Sequence, residues 1–229
     1  MATTIGEMLN QLFEAERTMR ALHRSLRSEA DSKLVPELRA ATREALTLED
    51  ESEATVRLVR LASLLGDLEG DAVVDLLIDI LGAPSPEARI EAGEALEGLS
   101  MDRFKEVAMG VERALSRLPS TNPALSELPF LIAQVGEPGC AKLIGRFLAS
   151  DDVDVVASGI EALAELGDPA GIPLLAKLER DGRHVQLDEE EGGERVAIAD
   201  LAHEARTILE EMASEFEDKG GAPSPKGKR

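Results

Sequence analysis

The dipeptide His203-Glu204, inside "HEART", is the start of the pattern by which two imidazoles one helical turn apart hold zinc beside a glutamate base. The second imidazole is missing, because Thr207 stands where that pattern needs histidine. The other histidines, His23 and His184, have no spacing to His203 that suggests a shared site, so His203 reads as a helix-surface or packing residue. Cys140 falls in the first turn of an expected helix, where the dipole lowers a thiol pKa. It follows Pro138-Gly139 with no histidine nearby, and the better reading is a small packed residue. Asp188, Glu189, Glu190 and Glu191 form a run of carboxylates, but a calcium loop alternates its acids with turn residues around a central glycine. The stretch from 181 to 193 therefore reads as a flexible acidic loop. No catalytic residue, cofactor or metal ligand is expected.

Three other sets of acids share one spacing. Glu87, Glu91 and Glu94 precede Gly98; Asp154 is followed by Ser158, Glu161 and Glu165; Asp200 and Glu204 are followed by Thr207 and Glu211. Steps of four, three and four put each set along one flank of a helix. The spacing matters only if the three segments are helices, and their apolar residues say that they are. Ala88, Ala92, Ala95, Leu96 and Leu99 match Val155, Gly159, Ala162, Leu163 and Leu166, and the last segment fits with Leu201, Ala205, Ile208, Leu209 and Met212. Each set is a helical stripe with a small residue at its second position, where a neighbouring backbone can come close. The other flank (Ile90, Gly93, Glu97; Ala157, Ile160, Ala164; His203, Arg206, Glu210) is apolar or small in two of the three helices and is expected to be buried.

A shorter helix precedes each of these. Residues 71–82, 137–148 and 169–179 are predicted first helices, and helices from Ser85, at 151–166 and at 194–213 are their longer partners. Ser85 is a predicted N-cap with Pro86 in the first turn. Gly136 and Gly167 both follow an apolar helical run and precede an acid and a proline. Residues 101–130 make a degenerate unit, in which Pro129 is expected to kink or shorten the second helix.

The text "SDDVDVVASGIEALAELGDPAGIPLLAKL" resembles a short HEAT repeat of the kind found in phycobilisome lyase-like proteins. An acid-rich turn leads to a valine, then "EAL", then "LGDP" into the next first helix. Arg89 stands where that family often has arginine, and Val156 stands at the matching place in the unit at 131–166. The resemblance covers residues 67–100 and 131–179 best. It implies an all-α chain, an α-solenoid of HEAT-like helical hairpins in which the second helices line a concave face. Residues 67–218 are assigned to these repeats and residues 1–66 to an N-terminal cap, an amphipathic helix plus a divergent hairpin. Residues 219–229, "KGGAPSPKGKR", are assigned to a disordered basic tail.

In the N-terminal helix Ile5, Met8, Leu12, Ala15, Met19, Leu22 and Leu26 recur at three and four, with Arg17, Arg20, Arg24 and Arg27 on roughly the opposite face. That gives it either the role of a solenoid cap or that of a self-association helix, and so a possible homo-oligomer. The formal charge of the chain is −20, most of it in residues 67–218. Such a surface repels nucleic acid and anionic membrane and attracts basic partners. The absence of Trp and Tyr removes the platforms on which bases and flat cofactors stack. This argues against the HEAT-like DNA glycosylases, whose binding face is basic. The lone His-Glu pair argues against hydroxylases that use several such pairs around iron. With one cysteine, no signal-like start and no apolar run near the ~20 residues a bilayer needs, the expected location is cytoplasmic. The expected function is a non-catalytic scaffold or adaptor that binds a protein partner, through a basic segment, on an acidic concave face made by Glu87, Glu91, Glu94, Asp154, Glu161, Glu165, Asp200, Glu204 and Glu211. The alternative implied by the resemblance is a bilin-lyase-like or other small-molecule-handling HEAT-repeat subunit.

Overall fold

The computed structural model describes residues 4–187 and 194–218. The expected tail at 219–229 and the acids Asp188–Glu191 lie outside the described residues. The described chain is all-α apart from one antiparallel strand pair, β1 (His184–Leu187) with β2 (Glu194–Ala197), registered His184 to Ala197 and Leu187 to Glu194. It divides into two compact units, Met1–Ala95 and Leu96–Arg229.

The first unit holds α1 (Ile5–Arg27), α2 (Asp31–Ala45), α3 (Glu51–Gly66), α4 (Asp71–Leu81) and the start of α5 (Pro86–Arg117). Its core lies between α2, α3 and α4, where Leu38, Leu58, Leu65, Leu77 and Ile80 are buried. α3 starts because the Asp50 carboxylate accepts the Glu53 N–H at 3.1 Å, and α5 because Ser85 Oγ accepts from Ala88 N at 3.3 Å. Pro36, a residue type that favours the first turn of a helix, lies inside α2. It is the sixth residue, so α2 forgoes one backbone bond there and begins a turn earlier at Asp31. On α5, Ala88 and Ala92 are buried as the stripe requires, whereas Ile90, expected to be covered, is exposed. α5 continues to Arg117 across a break at Arg103, whose φ of −137° and ψ of 44° leave the helical region.

The second unit adds α6 (Ala124–Val135), α7 (Cys140–Ile144), α8 (Val153–Leu166), α9 (Ile172–Leu175) and α10 (Ile198–Asp218), with 3₁₀ turns at Phe147–Ala149, Pro169–Gly171 and Ala176–Leu178. Both glycines that the sequence pairs by position do the same physical job. Gly136 (φ 63°) and Gly167 (φ 68°) end α6 and α8 in the left-handed conformation, which costs a side chain but not glycine. Asp168 then accepts the Ala170 N–H at 2.9 Å and starts the next short helix. Pro129 lies inside α6 as its sixth residue without ending it.

The long helix α8 packs against both α6 and α10, and the short α7 packs against α6 and α8 and the short α9 against α10. Packing is tight at the small positions. A Cβ added at Gly159 would lie 3.0 Å from Leu148 Cδ2 and 3.4 Å from Phe147 Cβ, and one at Gly145 would lie 2.8 Å from Leu174 Cδ1. Phe147, Ile160 and Leu163 fill the centre. Residues 194–197, expected to be helical, form β2 instead. Val185 is buried, and pairing residues 194–197 with β1 satisfies its backbone groups on one side.

Candidate functional site

Arg183 sets the geometry of the acid-bearing helices in the second unit. Its guanidinium straddles the Asp181 carboxylate, with Nε 3.1 Å from both oxygens and Nη2 2.7 Å from Oδ2. Nη1 donates to the Ser150 carbonyl at 2.9 Å, just before α8 begins. The Arg183 carbonyl in turn accepts the Ile198 N–H at 2.9 Å, where α10 begins. The starts of α8 and α10 are thereby tied to one residue. At the other end, a Cβ on Gly167 would lie 3.0 Å from Met212 Cε, so the end of α8 sits against the late turns of α10. The two helices run in the same direction, with Gly167 level with Met212. At that offset Asp154 is near the height of Asp200, and Glu165 near the height of Glu211.

All six acids of this pair, Asp154, Glu161, Glu165, Asp200, Glu204 and Glu211, are exposed, and among the described residues none of them makes an ion pair. Glu161 has an exposed residue surface, but its carboxyl sits close enough to packed neighbours that desolvation raises its pKa. An ionised carboxylate with reduced hydration and no cation beside it is where an incoming guanidinium or ammonium gains most. In the first unit Glu87 and Glu94 are exposed and Glu91 is half-buried. Among the described residues these three also lack an ion pair, and Glu87 accepts only from Ser85 Oγ at 3.1 Å.

The arginines of α1 are in a different state. Arg17 pairs with Glu14, Arg20 with Glu16 at 2.8 Å, and Arg27 with Asp67 at 3.2 Å, while Arg24 has no ion pair among the described residues. His23 Nε2 lies 2.9 Å from the same Asp67 oxygen, so the C-terminal end of α1 is moored to the cap of α3. Cys140 is buried, and desolvation pushes its thiol pKa up. His203 is exposed, with Nδ1 3.9 Å from Glu179, whose nearer partner is Arg206. Among the described residues no three His, Cys, Asp or Glu side chains gather as a metal site would require.

Two features escaped the sequence reading. The Asp181–Arg183 tie left no periodic signal, since its residues lie in a turn. The other is a groove of about 670 Å³ between α1 and α3, lined chiefly by Ala15, Met19, Leu22, Leu26, Leu61 and Leu64. A signal for it exists in "VRLVRLASLLG", where Leu61 exceeds what one buried stripe through Leu58, Ala62 and Leu65 can use. A second, smaller hollow of about 320 Å³ lies in the other unit beside Leu118, Leu125 and Arg146.

No family model and no curated protein matches this chain. Among solved structures, it is similar to two engineered proteins whose crystal structures came from a structural genomics consortium. The first is 21% identical over 86% of this chain and 90% of the other, with a TM-score of 0.33. The second is 21% identical over 86% of this chain and 56% of the other, with a TM-score of 0.32. Superpositions this loose assign neither fold family nor activity. Among the described residues no helix is long and apolar enough to cross a membrane.

Proposed function

We propose that this protein is a non-catalytic scaffold built of stacked HEAT-like hairpins, which holds a partner protein by a basic segment laid along the acidic flanks of α8 and α10. The observation that supports this reading is the set of six exposed carboxylates on two co-directional helices, with no ion pair among the described residues. Ordinary solvated helix faces mix their charges, and i,i+4 pairs neutralise them, as Arg20–Glu16 and Arg57–Glu53 do in the first unit. On α8 the sequence from Asp154 to Glu165 has no base at all. Glu87, Glu91 and Glu94 form a separate acidic patch of the first unit and serve the same partner class.

The test is a charge swap with a matched control. Glu161→Lys with Glu204→Lys should leave helicity unchanged and weaken binding of a synthetic Arg/Lys peptide by more than tenfold. Swapping Glu29 and Glu49, exposed acids of the first unit, changes net charge equally and should weaken it by less than threefold. Equal losses from both pairs would reduce the effect to overall charge and remove the docking face. The Glu91→Lys variant tells whether the patch on α5 contributes separately.

A further inference from the structure

We propose that α1 is a dimerisation helix, and that α1 of a second copy lies antiparallel in the groove between α1 and α3. α1 contains no buried residue, although it is 23 residues long and closed at its start by a capping box between Thr4 and Glu7. Ile5 is 74% exposed, Leu12 62% and Leu22 61%. An isolated helix of this length is marginal in water, and proteins stabilise such helices by covering their apolar face. Here the face is open.

The spacing of that face fits another helix better than it fits a globular body. Ile5, Met8, Leu12, Ala15, Met19, Leu22 and Leu26 alternate by three and four without an exception, which is the narrow seam of a coiled coil. The distribution of charge along the helix then favours one direction. Glu7, Glu14 and Glu16 occupy the first half of α1, and Arg17, Arg20, Arg24 and Arg27 the second. A copy of the same helix placed head to tail sets the acidic half of each beside the basic half of the other, whereas a parallel copy sets like beside like. With Arg17 at the two-fold axis, Met8 meets Leu26, Leu12 meets Leu22 and Ala15 meets Met19. The incoming Met8 and Leu12 then also reach Leu61 and Leu64 across the groove. Helix dipoles favour the same direction.

Other occupants fit less well. Residues 219–229 contain no apolar side chain larger than proline, so they cannot fill the groove. A bilayer surface rewards basic residues along a whole polar face, and the first half of α1 is acidic. The chain carries −20 overall, so two copies repel, but α1 has four arginines against three glutamates and is a place where they can approach. The apolar seam drives this association; the arginines lie away from the seam and three of the four are already paired within the first unit, so the uneven charge of the two halves adds only a long-range preference for the antiparallel direction.

The test is sedimentation equilibrium of the full chain up to about 500 µM, a range that detects Kd values into the high micromolar. Wild type should show a species of twice 24.5 kDa. Leu12→Glu and, separately, Leu22→Glu should weaken it at least tenfold with an unchanged circular dichroism spectrum. In a Cys140→Ala background, Met8→Cys with Leu26→Cys should give a disulfide-linked dimer on mild oxidation, and Met8→Cys alone should not. A monomer throughout the range would overturn the proposal, as would a dimer indifferent to both glutamates. Efficient cross-linking by Met8→Cys alone would overturn the antiparallel arrangement. Co-sedimentation of a monomer with phosphatidylserine vesicles, lost in Leu12→Glu, would assign the face to lipid instead.

Discussion

α1 and α8 are written in the same alphabet and end in opposite situations. Both are amphipathic, both begin with a side-chain cap, and both carry an acid in the first turn. α8, at 14 residues, buries seven of them against α6, α7 and α10, whereas α1, at 23 residues, buries none. An apolar stripe therefore states what a helix is able to bury, and only the neighbours decide whether it does. α8 has neighbours because Gly159 lets the segment Phe147–Leu148 approach and Arg183 fixes α10 alongside. α1 is held at its C-terminal end by Asp67 and shares only an open groove with α3, so no residue along its length is buried.

Substitutions at equivalent places on the two helices sharpen this contrast. The largest effect is expected at the floor beneath α8. Phe147→Ala removes a fully buried ring and should cost about 3–5 kcal/mol in chemical denaturation. Arg183→Met should cost about 1–2 kcal/mol, because Asp181 and the Ser150 carbonyl lose a charged donor. The same variant should alter the acid limb. Arg183 holds the Asp181 pKa below the usual carboxylate value, so the pair stabilises the fold above the unfolded value of about 4. That contribution is lost as pH falls through the lower folded pKa. Unfolding curves of Arg183→Met below about pH 4 should consequently be flatter than those of wild type. Gly167→Ala, at φ 68° and facing Met212 Cε, should cost about 1–2 kcal/mol. At the small end, Leu12→Ser on α1 should change the stability of the monomer by less than about 0.5 kcal/mol. A loss above 2 kcal/mol there, at micromolar concentration, would mean that α1 is covered in solution and would abolish the contrast.

How much of this was legible in the sequence follows from what each signal depends on. Helix positions and ends were legible where they rest on local chemistry: Ser85, Gly136 and Gly167 act at the boundaries expected of them, because caps and left-handed turns need only adjacent residues. The α8 stripe was legible because a helix buried on several sides leaves few alternatives. Ile90 and residues 194–197 were misread for a shared reason. Burial on α5 depends on which elements pack against it, and residues 194–197 depend on pairing with the nearby strand β1; a helical period reports neither. The acids of α8 and α10 could be placed on helical flanks by spacing alone. That the two helices run the same way, with those flanks at matching heights, depends on Arg183 and Met212, and neither carries a pattern.

The Asp181–Arg183 tie has a kinetic consequence. The amides of Ile198 and Ala199 donate to the carbonyls of Arg183 and Asp181, and the Arg183 side chain grips the turn ahead of α8. The first turn of α10 cannot fray without releasing that grip. Deuterium uptake at residues 198 and 199 should therefore proceed at one common rate, matched by the opening of the Ser150–Asp152 bend, and Arg183→Met should let the two run at separate rates.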